Sequence, residues 1–289
     1  MAVEHVDVVI VGAGLSGIGA GVHLYENCPT KSYLILEGRP AMGGTWDLFR
    51  YPGIRSDSDM YTLGFPFRPW AGEKAIVDGA AIRAYVEETA REFGIDKHIR
   101  FGCRVTAADW SSADARWTVT VEAEGAVRTV SCGFLFLASG YYDYAGGYRP
   151  DWPGEEEFAG RIVHPQHWPE DLDVAGKRIV VIGSGATAVT LVPALADAGA
   201  QVTMLQRTPS YVVARPSRDA LAKGMQRLLP LGLADGLTRW KNVLLGNYFF
   251  SLAPRWSYLL SSSYVRGAVS GLGLLNVWIA VAEFWRLRL

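Results

Sequence analysis

Val6-Asp7-Val8-Val9-Ile10-Val11-Gly12-Ala13-Gly14-Leu15-Ser16-Gly17 decides the fold. A β-branched run of this length reads as a strand buried on both faces. It opens directly into a GxGxxG turn, and Ile18, Ala20, Val22 and Leu24 continue as a helix. Tyr33-Leu34-Ile35-Leu36 is a second strand, and it ends in Glu37, about 20 residues beyond the last glycine, as a dinucleotide fingerprint requires. In such a unit Gly12 makes the tight turn and Gly14 lets backbone approach a pyrophosphate. Gly17 lets helix and strand pack closely. The helix start supplies free N–H groups for phosphate, and Glu37 accepts a ribose hydroxyl. A lone GxGxxG would be a packing turn as readily as a site. With both strands, the helix and the acid in order, dinucleotide binding is the expectation.

The pattern recurs at Arg178-Ile179-Val180-Val181-Ile182, another run expected to be a buried strand. It leads into Gly183-Ser184-Gly185-Ala186-Thr187-Ala188 and a helix through Val189, Leu191 and Leu195. The next strand, Gln201–Leu205, is followed by Gln206-Arg207-Thr208 instead of an acid. A guanidinium can form paired, charge-assisted bonds to a 2′-phosphate that a carboxylate would repel. The second unit therefore reads as an NADPH site, with Arg207 and Thr208 on the 2′-phosphate, although Arg207 could also be a solvated surface charge. One fingerprint ending in Glu and one ending in Arg point to an FAD site and an NADPH site. The expected fold is α/β, with two Rossmann-like, doubly wound, three-layer domains and a helical tail.

The 289 residues carry 28 basic and 29 acidic side chains, a balance that argues against nucleic acid as partner. Cys28, Cys103 and Cys132 are too widely spaced for a disulfide framework, a CxxC redox pair or a zinc site. No metal is expected, and a reducing cytoplasm suits the chain. Residues 1–20 lack the continuous apolar core of an export signal. The charge balance hides a split. From Lys241 onward Glu283 is the only acid, against Lys241, Arg255, Arg266, Arg286 and Arg288, so the tail is basic and the rest acidic.

Between the fingerprints, Gly43-Gly44-Thr45-Trp46-Asp47 and Arg50-Tyr51-Pro52-Gly53-Ile54-Arg55-Ser56-Asp57 read as a loop with close-approach glycines, a flat indole and acidic acceptors. Ile82, Tyr85, Val86, Ala90 and Phe93 recur at helical spacing behind Asp78, a natural N-cap, and read as core. Arg116–Glu122 alternates, turns at Glu124-Gly125 and returns through Val127 and Val130, which predicts a hairpin. Phe134–Leu137 reads as a further buried strand, and Tyr141 through Gly154 as a linker. His164 lies beside that linker, where a structural role competes with one in coupling domain motion.

Taken together, these segments resemble the flavin-dependent Baeyer–Villiger monooxygenases. Phe158 to Pro169 matches that family's FxGxxxHxxxWP signature, and Gly43 to Asp57 matches its GGxW followed by YPGxxxD. The related N-oxygenating enzymes have a tyrosine where Trp168-Pro169 stands. The resemblance implies FAD contacts at Ser16, Glu37, Thr45, Trp46, Asp47, Leu48, Asp57 and Val105. It implies NADPH contacts at Arg55, Ser56, Gly183 to Val189, Arg207 and Thr208. It also implies that NADPH-reduced flavin and O2 give a C4a-peroxyflavin, which turns a ketone into an ester or lactone or oxygenates sulfur. The expected partners are thus O2 and a small ketone or sulfur compound. Asp57 would orient an active-site arginine, and His164 is carried as a second catalytic candidate.

The resemblance covers about residues 5–245. The implied domains are 1–145 for FAD, with a hairpin insertion, 146–212 for the first half of the NADPH domain, and 213–289 for a helical insertion and apolar tail. The family's arginine matches no position here, so an NADPH–flavin reductase that leaks peroxide and a nucleotide-binding remnant compete with the monooxygenase. The tail reads as a truncated or out-of-frame end, as a divergent helical cap, or as a peripheral membrane contact through the charge-free run Gly267–Ala282, which is too short and polar for a span. A homo-oligomer stays open.

Overall fold

The computed structural model describes residues 3–208, 212 and 216–246. The chain divides near residue 224 into two compact units. In the first, β1 (Glu4–Val11), α1 (Leu15–Asn27) and β2 (Tyr33–Leu36) form the expected strand–helix–strand, with β1 and β2 parallel and Val8 opposite Tyr33. Two short helices, α2 (Thr45–Leu48) and α3 (Met60–Leu63), precede α4 (Gly79–Glu92). Asp78 caps α4 by accepting the Ala81 N–H at 2.8 Å, as its sequence predicts.

Four more strands complete the sheet: β3 (Ile99–Arg100), β4 (Cys103–Ser111), β5 (Arg116–Ala123) and β6 (Ala126–Leu137). Their order is β3-β2-β1-β6-β5-β4, parallel from β3 to β6 and antiparallel from β6 to β4. The return arm of the predicted hairpin and the predicted strand Phe134–Leu137 are one continuous strand, in which Phe134 and Leu137 are exposed rather than buried as expected. β6 pairs with β5 along its first half and with β1 through its second. Nothing in residues 126–137 breaks the extended backbone, since they include no proline and one glycine, Gly133. The turn is at Glu124-Gly125, both with positive φ, the geometry of a two-residue hairpin loop.

The sheet is buried on both sides of β1. Val8 and Ile10 face α1 and α4, packing with Ile18, Val22, Ile82, Tyr85 and Val86. Val9 joins Leu34, Leu36, Val119, Val130 and Cys132 on the other side. Burial of this kind contributes about 25 cal/mol per Å² of apolar surface.

The second fingerprint is built from β7 (Arg178–Ile182), α5 (Ala186–Asp197) and β8 (Gln201–Leu205), with β7 and β8 parallel. Ile179 and Val181 pack with Leu191 and Leu195 of α5. The expectation of a strand buried on both faces fails here, because Val180 is 61% and Ile182 56% exposed. Among the described residues this sheet has two strands and only α5 against it. Two helices follow, α6 (Ala220–Leu228) and α7 (Leu231–Gly246). Among the described residues no helix is long and apolar enough to cross a membrane. The charge-free run Gly267–Ala282 lies outside the described residues.

Candidate functional site

The first fingerprint turn, the 43–57 loop, the segment following β6 and the start of α5 enclose a pocket of about 390 Å³. Its floor is bare backbone. A Cβ on Gly12, whose φ is +105°, would stand 2.6 Å from the Ala138 carbonyl oxygen. One on Gly44 would stand 3.1 Å from the Gly14 Cα. Gly17 is equally tight, since a Cβ there would overlap the Gly12 carbonyl oxygen. Side chains are thus excluded where a pyrophosphate must approach the start of α1, so the cradle fits a dinucleotide. Glu37 is buried at the pocket edge, where Oε2 accepts the Ala13 N–H at 2.7 Å and Oε1 the Arg39 N–H at 3.0 Å. Each oxygen keeps a lone pair for a ribose hydroxyl.

Ser16, Thr45, Trp46, Arg55, Ser56 and Asp57 line the same pocket, joined from the second fingerprint by Ala186 and Thr187. The 43–57 loop makes this convergence possible by packing onto α5. Phe49 and Tyr51 bury against Leu191 and Leu195. Gly53, with φ +80°, lies so close to Thr190 that a Cβ would overlap its carbonyl oxygen. Ser56 is buried, with its hydroxyl 3.4 Å from the Val77 N–H that it accepts.

The other candidate residues lie elsewhere. Asp47 is buried and its carboxylate is taken by three guanidiniums: Arg39, Arg50 at 2.9 Å and Arg83 at 2.8 Å. It therefore anchors the turn that carries Thr45 and Trp46. Leu48 packs into the cluster around α5, and Val105 belongs to the core beside β6. Gly183, Ser184 and Gly185 form the turn between β7 and α5, with Ala188 and Val189 in the helix itself. The Ser184 hydroxyl donates to the Thr208 carbonyl at 3.4 Å, which ties that turn to the end of β8 beside the exposed Arg207. His164 stands outside the pocket, and its Nδ1 accepts the Gln166 N–H at 3.2 Å. Burial, and then His167, hold this imidazole below its usual pKa, so the neutral acceptor form is favoured.

Sequence reasoning missed the aromatic wall. Tyr141, Tyr142 and Tyr144, taken as linker, line the pocket with Phe49 and Tyr51. Tyr142 packs edge-on against Phe49 at 4.9 Å and lies tilted against Tyr141 at 4.5 Å. Its phenol is pushed up to about 12 by a hydrogen bond with Tyr141, then by burial and by the charges of Tyr51 and Asp57. It stays protonated at neutral pH. The density of tyrosine directly after β6 was the available signal.

A family model described as flavin-binding monooxygenase-like matches residues 65–228. The chain is 61% identical over 254 residues to the FAD-containing monooxygenase EthA of Mycobacterium tuberculosis, covering 88% of this chain and 52% of that protein. It is 58% identical over 254 residues to EthA of Mycolicibacterium smegmatis, again covering 88% of this chain and 52% of that protein. The chain thus spans about half the length of the curated relatives it matches. Among solved structures it is similar to cyclohexanone monooxygenase of Rhodococcus sp. Phi1 bound to NADP+, with 29% identity and a TM-score of 0.68, over 84% of this chain and 45% of that one. A glycine-rich turn and the start of the second fingerprint's helix at one pocket, and these likenesses across most of the chain, lead to one conclusion: the chain belongs to the flavin-binding monooxygenase-like family.

Proposed function

We propose that the first fingerprint holds FAD and the second NADPH, in a monooxygenase of Baeyer–Villiger type. The reaction inserts one oxygen atom of O2 into a ketone, giving an ester or lactone, or oxygenates a sulfur compound. The observation that carries this reading is that both fingerprints open into one pocket with Asp57 on its wall. Relatives named as FAD-containing monooxygenases, and a similar structure solved with NADP+, support it.

FAD held there would supply the redox chemistry that links NADPH to O2. The chain's residues do the rest. Glu37 accepts ribose hydroxyls, and the bare backbone at Gly12 and Gly14 admits the pyrophosphate. Thr45 and Trp46 would border the same ligand, and Arg55 and Ser56, on the wall of the same pocket, would contact NADPH. Arg207 and Thr208 receive the 2′-phosphate. Asp57 offers a carboxylate able to orient a cationic group, whose charge would stabilise a developing oxyanion. Buried Phe49 and Tyr51 wall that region, and the Tyr142 phenol keeps its proton beside Asp57. Unpaired Cys28, Cys103 and Cys132 suit a reducing cytoplasm.

The test is to purify the chain, record its flavin absorbance, add NADPH, and compare NADPH consumed with oxygenated product and peroxide formed. The reading expects bound FAD that bleaches on NADPH addition, with product from a ketone or thioether. Absence of bound FAD after incubation with excess cofactor overturns it. Bleaching with stoichiometric peroxide and no product replaces it with an uncoupled NADPH–flavin oxidase.

A further inference from the structure

The Tyr144 side chain projects into the pocket beside the first fingerprint, and the function proposed above gives it no task. Its hydroxyl lies 3.9 Å from the point where a Cβ on Gly44 would stand, and as far from that on Gly140. That places it over the Gly14–Gly44 approach. Among the described residues it makes no hydrogen bond.

The ring meets a cation, and the backbone that carries it is tied down. The Arg39 guanidinium lies 5.9 Å from the ring centroid, within cation–π range, and is itself fixed by Asp47 and by the Gly44 carbonyl at 3.3 Å. In the backbone, buried Gln166 donates from Nε2 to the Asp143 carbonyl at 2.6 Å. The Asp143 carboxylate in turn accepts the Ala145 N–H at 2.9 Å. The His164 ring presses on Gly147 with no room for a Cβ. Segment 141–147 is therefore pinned by the residues of the FxGxxxHxxxWP stretch.

We propose that Tyr144 contacts the dinucleotide at the first fingerprint, its hydroxyl donating a hydrogen bond to the pyrophosphate. The inference rests on reading that fingerprint as the FAD site. The class of ligand follows from what surrounds the hydroxyl. Glycine backbone and the start of α1 suit an anion, and Glu37, an acceptor, takes the ribose instead. A diphosphate offers acceptors alone, so it needs a donor, and a phenol held in place loses little entropy in supplying one. Burial and the Glu37 charge raise the phenol's pKa while Arg39 lowers it, and the net rise keeps the proton on oxygen at neutral pH. Gln166 acts one step behind as a positioning residue.

The experiment measures binding of FAD, ADP and riboflavin to the chain and to Tyr144→Phe, by flavin fluorescence and by ADP competition. Tyr144→Phe keeps the ring and its contact with Arg39 and removes only the donor. The expected result is a loss of roughly tenfold for FAD and ADP with riboflavin unchanged. Tyr144→Gln, which restores a donor without the ring, regains part of that loss. Equal FAD affinity in the chain and in Tyr144→Phe overturns the proposal and leaves the FAD reading standing. An equal loss for all three ligands also overturns it, since it marks a general disturbance of the pocket. Failure of the unaltered chain to bind FAD or ADP sinks both.

Discussion

The two fingerprints are nearly the same sequence in very different surroundings. In the first, Gly12 and Gly17 are wedged against backbone, and β1 is covered on both faces. In the second, a Cβ on Gly183 or Gly185 would meet nothing within 4 Å, and the outer face of β7 is bare. The difference is the neighbouring strand. β6 lies beside β1 and delivers the Ala138 carbonyl to Gly12, whereas among the described residues β7 pairs with β8 alone. The motif's glycines are thus demanded by packing at one site, and at the other, at Gly183, by backbone conformation alone. Identical letters carry different physical obligations.

The largest effect that would break or sharpen this contrast is at two motif glycines that hold different places in the pattern, since Ala188 stands where the first fingerprint has Gly17 and Gly185 where it has Gly14. Gly17→Ala should destabilise the chain by several kcal/mol or prevent folding, because backbone must move. Gly185→Ala, at φ −76°, should change stability by less than about 1 kcal/mol. Urea denaturation of the two variants measures this directly, and equal losses would erase the distinction. Next come the strands. Val9→Ala should cost about 2–3 kcal/mol, and Val180→Ala less than about 1 kcal/mol. A comparable loss at Val180 would mean that its exposed face is covered in solution.

Asp47→Ala removes the common partner of Arg39, Arg50 and Arg83. Because those arginines keep between 25% and 49% exposure, the expected cost is about 2 kcal/mol, below that of a fully buried pair. FAD affinity should fall with it, as the turn bearing Thr45 and Trp46 loosens. Unchanged urea midpoints would show that water replaces the carboxylate. The smallest effect is at the entrance of β1. Asp7, exposed, accepts from the Ser32 hydroxyl and N–H and from Lys31, and these bonds lower its pKa to about 2. Its folded pKa lies below the unfolded value, so its contribution is present above about pH 4 and is lost as pH falls towards 2. Asp7→Asn should flatten that part of the acid titration of stability.

Much of the fold was legible because its signals are local. The glycines, the strand ending in Glu37, the Asp78 cap and the Glu124-Gly125 turn each depend on a few adjacent residues. β3 and β4 were missed, and β6 was divided, because strand pairing is a long-range matter: Val6 lies opposite Cys132, and Arg104 opposite Glu122. The site was legible in outline through its motifs. The three arginines around Asp47 come from the end of β2, the loop and α4, and no spacing rule links them. The tyrosine wall was hidden because Tyr, Gly and Pro together read as linker. Its role emerges only once Gln166 and His164 pin that linker against the pocket.

The continuity of β6 makes the strand a ruler. It spans roughly 40 Å, from the 124–125 turn to the pocket floor. One residue added or lost in that turn would shift the whole strand by a register step, exchange its two faces and move the Ala138 carbonyl off Gly12. A loop remote from the ligand therefore calibrates the fingerprint. Insertions at Glu124-Gly125, harmless to an ordinary surface hairpin, would be read out at the dinucleotide.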